Sequence, residues 1–142
     1  MKKHTSTKNE IAQQFMLGRS CGQCTLGEYA DELGYDVEET DRFAACFAGG
    51  MLMGQTCGAV TGALMAIGLA FEDTEKAHEK AQEFTKRFAE RNGSCLCEKL
   101  LGCNMGIPEE KERARAEGKL TQLCPGLVVS ALELLDEIFD EV

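Results

Sequence analysis

The chain predicts an all-α fold: a compact, single-domain helical bundle of about five longer helices plus short ones, covering residues 1–142 with a flexible tail over about the first six. Three observations predict it. Apolar residues recur at helical spacing almost everywhere, and no run sustains the alternation of a strand. Helix-capping residues and glycine stops punctuate the chain at regular intervals. At 142 residues the chain is also long enough to bury a core without disulfide staples.

The elements follow in order. Thr7 with Glu10 forms a capping-box pattern, opening a helix with Ile11, Phe15 and Met16 that stops at Gly18. A short helix around Cys24 to Leu33 ends at Gly34, and Asp36 with Glu39 caps the next, which carries Phe43 toward Phe47 before Gly49-Gly50 interrupts it. A further helix is expected from Thr56 or Cys57 to Phe71. Gly54, Gly58 and Gly62 would line one side of it, where another backbone or side chain can approach closely, and Val60, Leu64, Ile67 and Phe71 lie beside them.

Asp73 or Thr74 caps a long charged helix through Arg91, with Ala77, Ala81, Phe84 and Phe88 inward and Asn92-Gly93 as its stop. Ser94 is expected to cap a short helix bearing Cys95, Cys97, Leu100 and Leu101. Pro108 suits the first turn of a small charged helix closing at Gly118, and Pro125 the first turn of the last helix, whose core stripe includes Leu127, Leu132, Leu135 and Ile138.

Charge narrows the function classes. A formal net charge of -9 argues against a sequence-independent hold on nucleic acid, which needs Lys and Arg on phosphates. Glu133, Asp136, Glu137, Asp140 and Glu141 have no basic neighbour in sequence and read as a solvated helix face. Phe43 to Phe71 carries no charged residue, long enough to raise a membrane span, but Gly49-Gly50, Gly54 and Gln55-Thr56 interrupt it; a buried helix-loop-helix fits better. No apolar segment of a secretory leader follows Met1-Lys2-Lys3-His4, so a cytoplasmic location is expected.

The chemistry lies in eight cysteines. In a reducing compartment clustered thiols are more often redox groups or metal ligands than permanent disulfides. Cys57 stands at an expected helix start in Cys57-Gly58-Ala59-Val60-Thr61-Gly62, and Cys124 just before Pro125 at another, where the positive end of the helix dipole favours the thiolate. Cys24 and Cys97 lie on two further helices, so a bundle can bring four thiols together. Cys21-Gly22-Gln23-Cys24 is a CxxC pair without the βαβ context of a thioredoxin-type site. Cys46, between Ala45 and Phe47, reads as a small buried hydrophobe, and His4 and His78 as exposed side chains without a ligand partner. Gly49 to Gly54 lacks the Lys-Ser/Thr of a phosphate loop, and no carboxylate pair or nucleophile triad stands out.

These residues resemble the C_GCAxxG_C_C family of redox-active proteins. Cys24 resembles its first cysteine, CGAVTG at 57–62 its CGAxxG signature, Cys97 its third cysteine and Cys124-Pro125 its fourth. The resemblance implies a small bacterial or archaeal helical protein, redox-active, whose relatives occur in transporter or electron-transfer contexts. Cys21, Cys46, Cys95 and Cys103 are additional to the pattern; those at 21 and 95 lie close enough to pattern cysteines to act as resolving partners.

Two functional expectations follow. In the first, Cys57 is a poised thiolate that exchanges disulfides with a nearby pattern cysteine, Cys124 foremost, with Cys24 and Cys97 in the same site. This needs no cofactor, only a redox partner protein or reductant. In the second, Cys24, Cys57, Cys97 and Cys124 hold zinc or an iron-sulfur cluster. Close packing along the glycine-lined surface also invites association between copies of the chain.

Overall fold

A computed structural model describes residues 1–142. The fold is all-α, as the spacing predicts, with helices α1 (Lys8–Met16), α2 (Cys21–Glu28), α3 (Ala30–Leu33), α4 (Val37–Phe43), α5 (Gly58–Ala70), α6 (Thr74–Asn92), α7 (Cys97–Leu101), α8 (Pro108–Ala116) and α9 (Lys119–Phe139). No helix is long and apolar enough to cross a membrane. The expected local signals operate at several ends. The Thr7 side chain accepts from the Glu10 amide while the Glu10 carboxylate accepts from the Thr7 amide, at 3.2 and 3.0 Å. Asp73 caps α6 by accepting from the Lys76 amide at 3.0 Å, and α6 ends on Gly93 in the left-handed region.

α5 and α9 lie at the centre, α5 packing against α2, α6 and α9, and α1 and α6 closing over α9. The main core gathers Leu26, Tyr29, Val60, Ile67, Phe84, Phe88, Leu132, Leu135 and Ile138, all buried. A smaller core unites Cys97, Leu101, Met105, Ala114 and Cys124 beside it. Removing such side chains from water is the main favourable contribution to folding.

The closest approach is between α2 and α5. A methyl group built on Gly62 would lie 2.8 Å from the Gly22 carbonyl oxygen and 3.1 Å from its Cα, and one on Gly58 would strike the Cys21 sulfur. The close approach expected on the glycine side of this helix is therefore made, by the backbone of α2. Gly54 does not share that face: it precedes α5 in a left-handed conformation, packed on Asn104.

Three further differences from the sequence expectations have physical causes. The last helix does not begin at Pro125. Gly118, left-handed at φ 70°, closes α8 and starts α9, so Pro125 lies inside α9. Proline there leaves the Thr121 carbonyl without its helical donor, in a stretch where Cys124 belongs to the small core and Leu120 packs against it. The acidic face of α9 is not simply solvated, because α6 supplies partners remote in sequence: Arg87 meets Glu137 at 2.6 Å, Lys80 meets Glu141 at 2.5 Å and Arg91 meets Glu133 at 3.7 Å. Cys46 is exposed rather than buried, carried outward on a single 3₁₀ turn, Ala45–Phe47.

The residues before α1, expected as a flexible tail, hydrogen-bond across the fold. Lys2 donates to Glu32, Thr5 and Ser6 to Glu28, and the His4 amide to Asp136 at 3.0 Å. His4, expected exposed, is half-buried, its ring 2.5 Å from the same Asp136 carboxylate.

Between α4 and α5 the backbone makes a left-handed turn. Gly49, Gly50, Met51 and Leu52 all have φ between 58 and 67°, a region that disfavours L-residues with a side chain. The turn is held by the Gln55 amide donating to the Gly50 carbonyl at 3.0 Å. It is also packed on the loop before α8: a methyl on Gly106 would lie 2.8 Å from the Leu52 carbonyl, and one on Gly49 2.9 Å from the Met105 Cβ. The turn thereby fixes one wall of the site.

Candidate functional site: a cavity lined by four thiols

Where the two cores meet, a cavity of about 390 Å³ is lined by Cys21, Cys57, Cys97 and Cys124. The site thus contains three of the four expected cysteines. Cys24 is elsewhere: it packs in the main core, 3 % exposed, and does not reach the cavity wall. One turn of helix separates it from Cys21, and it is Cys21 that faces Cys57.

Local structure explains each position. Cys21 is the first residue of α2, behind Ser20, whose amide donates to Gln23 Oε1 at 2.9 Å. This Ser-x-x-Gln arrangement is a capping-box pattern readable in the sequence, and it would have started the helix at Cys21. Cys57 is the N-cap of α5. Its amide donates to the Cys95 carbonyl at 2.8 Å, and the Cys97 amide donates to the Gln55 carbonyl at 2.6 Å, with Thr56 and Leu96 paired antiparallel between them. This short bridge ties the start of α5 to the start of α7, where Cys97 is the first residue.

Cys124, by contrast, lies in the interior of α9. Its thiol has no helix-start assistance, and burial pushes its ionisation upward. The same cause raises Cys97 to about 12 and Cys24 to about 11, the latter against the opposing charge of Arg19.

Cys21 and Cys57 behave as a pair. Interaction with the neighbouring Cys57 side chain lowers the pKa of Cys21 from the ordinary thiol value; burial opposes this, and the amides of Gly22, Gly58 and Cys21 add to it. Cys57 is correspondingly raised well above that value, first by its interaction with Cys21 and then by burial. The pairing thus favours ionisation at Cys21 over Cys57. The reason is geometric: the Gly58 amide at the start of α5 serves the Cys21 sulfur, whereas the Cys57 sulfur receives only the Ala59 amide. A helix start favours whichever sulfur its free amides reach.

All eight cysteines are free. Cys95 is half-buried and donates to the Thr85 carbonyl at 3.4 Å, off the cavity wall. Cys103 lines a separate, smaller recess with Glu110, Arg113 and Lys119. No three His, Cys, Asp or Glu side chains are grouped so as to hold a metal ion. The expected four-thiolate centre of Cys24, Cys57, Cys97 and Cys124 is not assembled, since Cys24 lies off the cavity wall and a zinc or iron-sulfur centre needs its sulfurs to converge.

The rest of the wall is mostly apolar, with Phe15, Leu101 and Leu127 among its side chains, and the hydroxyls of Ser20 and Thr121 and three cations, Arg19, Lys111 and Arg115, complete it. Arg19 is held by Asp41 at 2.6 Å.

Among known protein families, the model described as "Putative redox-active protein (C_GCAxxG_C_C)" matches residues 19–138. No curated protein and no solved structure matches the chain.

Proposed function

We propose that this chain, which belongs to the C_GCAxxG_C_C family of redox-active proteins, is a thiol–disulfide exchange protein in which Cys21 is the attacking thiolate and Cys57 the resolving thiol. The observation that carries this reading is the placement of Cys21 and Cys57 together on the wall of a cavity large enough for a small substrate, with the start of α5 packed against the Cys21 sulfur. Attack by a thiolate on a disulfide, followed by attack of a second thiol on the mixed disulfide, is the general course of such exchange.

The chemistry balances with the residues present. The Cys21 thiolate attacks one sulfur of a substrate disulfide, forming a Cys21–substrate mixed disulfide and releasing one substrate thiolate. Cys57 gives its proton to that leaving thiolate and attacks the Cys21 sulfur. The second substrate thiolate leaves and is protonated from solvent. The protein ends with a Cys21–Cys57 disulfide, oxidised by two electrons, and the substrate as two thiols, reduced by two. A dithiol or low-molecular-weight thiol returns the protein to its starting state.

Cys97 and Cys124, protonated on the same wall, are proposed to shape the cavity and not to attack. The pairing of Cys57 with Cys124 expected from sequence loses its basis once Cys124 has no helix start beneath it.

The test is trapping. Cys57→Ser should accumulate a mixed disulfide on Cys21, seen as one added substrate half in the intact mass, and Cys21→Ser should abolish turnover in a reductant-coupled assay. Full activity of Cys21→Ser would overturn the assignment.

A further inference from the structure

The charge of the cavity wall is opposite to the charge of the chain. With 24 acidic and 15 basic side chains overall, an arbitrary stretch of surface carries more carboxylates than cations. The cavity wall carries three cations, Arg19, Lys111 and Arg115, and no Asp or Glu. Arg19 is neutralised by Asp41. Lys111 and Arg115 are four residues apart on α8 and so share one helix face. The cations held in ion pairs are His4, Arg19, Lys76, Lys80, Arg87 and Arg91, and neither Lys111 nor Arg115 is among them. Glu110 on the same helix is engaged elsewhere, accepting from the Asn104 amide at 2.9 Å. Two cations outside any ion pair thus stand on the wall of a largely apolar, thiol-bearing cavity.

We propose that the substrate is a low-molecular-weight disulfide bearing carboxylate or phosphate groups, held by Lys111 and Arg115 through its anionic end and by Phe15, Leu101 and Leu127 through its apolar part. This assignment rests on the exchange reading above and names its substrate class. A cavity of about 390 Å³ has the size of small-molecule sites and is too small for a folded partner. Charge-assisted hydrogen bonds from Lys and Arg to carboxylate or phosphate are stronger than neutral ones; Lys111 is half-buried and Arg115 exposed. The exchange itself is the balanced step already described, with the anionic disulfide reduced and Cys21 and Cys57 oxidised.

The experiment compares three small disulfides that differ in charge: dithiodipropionate, an anion; hydroxyethyl disulfide, neutral; and cystamine, a cation. With the intact protein, kcat/KM is expected to fall in that order, and added salt should narrow the spread. Lys111→Ala and Arg115→Ala should each lower the anion-to-neutral ratio by about threefold to tenfold. Lys111→Glu should move the preference toward cystamine. Lys86→Ala removes the same charge from the exposed face of α6, off the cavity wall, and should leave the ratio where it was. Turnover without a charge order, or an order that survives both alanine variants, would overturn this assignment alone. Turnover of none of the three disulfides would overturn the exchange reading and this assignment with it.

Discussion

The amide of Cys57 donates to the carbonyl of Cys95 at 2.8 Å, so one backbone bond fixes the start of α5 to the segment entering α7. With the matching bond from Cys97 to Gln55, it sets Cys57 and Cys97 on one cavity wall without any covalent link. Four thiols can therefore stay free and still be held in place.

The first prediction concerns the proton shared between Cys21 and Cys57. Because the Cys57 thiol and three amides favour the Cys21 thiolate, iodoacetamide should modify Cys21 with a pH midpoint below the ordinary thiol value of about 8.5. Cys57→Ala removes the principal donor, and the midpoint should move upward. Peptide mass mapping across pH checks both; an unmoved midpoint would contradict the pairing.

Stability should decline in alkali. Burial raises Cys24, Cys97 and Cys124, and the bond to Cys21 raises Cys57. In the unfolded chain these thiols ionise near about 8.5, while the folded chain keeps them protonated. Their contribution is therefore fully present below that pH and is lost as pH rises through the folded values, about 11 for Cys24 and about 12 for Cys97. Cys21 acts oppositely: its contribution is present above the unfolded value and lost as pH falls through its lowered one. Since the raised thiols outnumber the lowered one, the urea midpoint should fall between pH values of about 8.5 and 11 at constant slope.

Two glycines on α5 should respond in opposite senses to alanine. Gly62→Ala places a methyl 2.8 Å from the Gly22 carbonyl oxygen, which should destabilise by about 1–3 kcal/mol as the helices are forced apart. Gly68 is exposed on the same helix with no other group within 4 Å of such a methyl, and Gly68→Ala should stabilise by about 0.5–1 kcal/mol. Denaturant midpoints of the two variants separate packing from helix propensity.

Cys24→Ala should leave exchange activity within about twofold while lowering stability by about 1 kcal/mol, because it removes a buried sulfur from the main core and nothing from the cavity wall. A loss of activity comparable to that of Cys21→Ser would contradict the placement.

Asp136 gathers three donors or partners: the Tyr29 hydroxyl at 2.7 Å, the His4 amide at 3.0 Å and the His4 ring at 2.5 Å. Asp136→Ala should cost about 2 kcal/mol and Tyr29→Phe about 1 kcal/mol. A double-mutant cycle should show that the two losses do not add.

Much of this architecture is legible from short-range signals. Thr7 with Glu10, Asp36 with Glu39, Asp73 and Gly93 each act within one helical turn, and each works as its spacing implies. What could not be read depends on distance in sequence or on which of two local signals wins. Lys80, Arg87 and Arg91 find Glu141, Glu137 and Glu133 only because α6 lies along α9. Proline favours the first turn of a helix, so Pro125 reads as a start, but Gly118 begins α9 earlier. Ser20 and Gln23 carry a start signal of their own, which places Cys21 and not Cys24 at the head of α2. Which sulfur receives the Gly58 amide is a matter of three-dimensional approach, and no spacing encodes it.

The glycine contact between α2 and α5 has a mechanical consequence. Side chains that separate two helices can hop between rotamers and let the helices drift, but Gly22, Gly58 and Gly62 put main chain against main chain. Where Gly22 meets Gly62 there is no rotamer to rearrange. The spacing of the Cys21 and Cys57 main chains is then governed by peptide planes, the stiffest parts of the chain, and repacking elsewhere in the core, around Phe84 or Ile67, should soften the molecule well before it loosens that spacing.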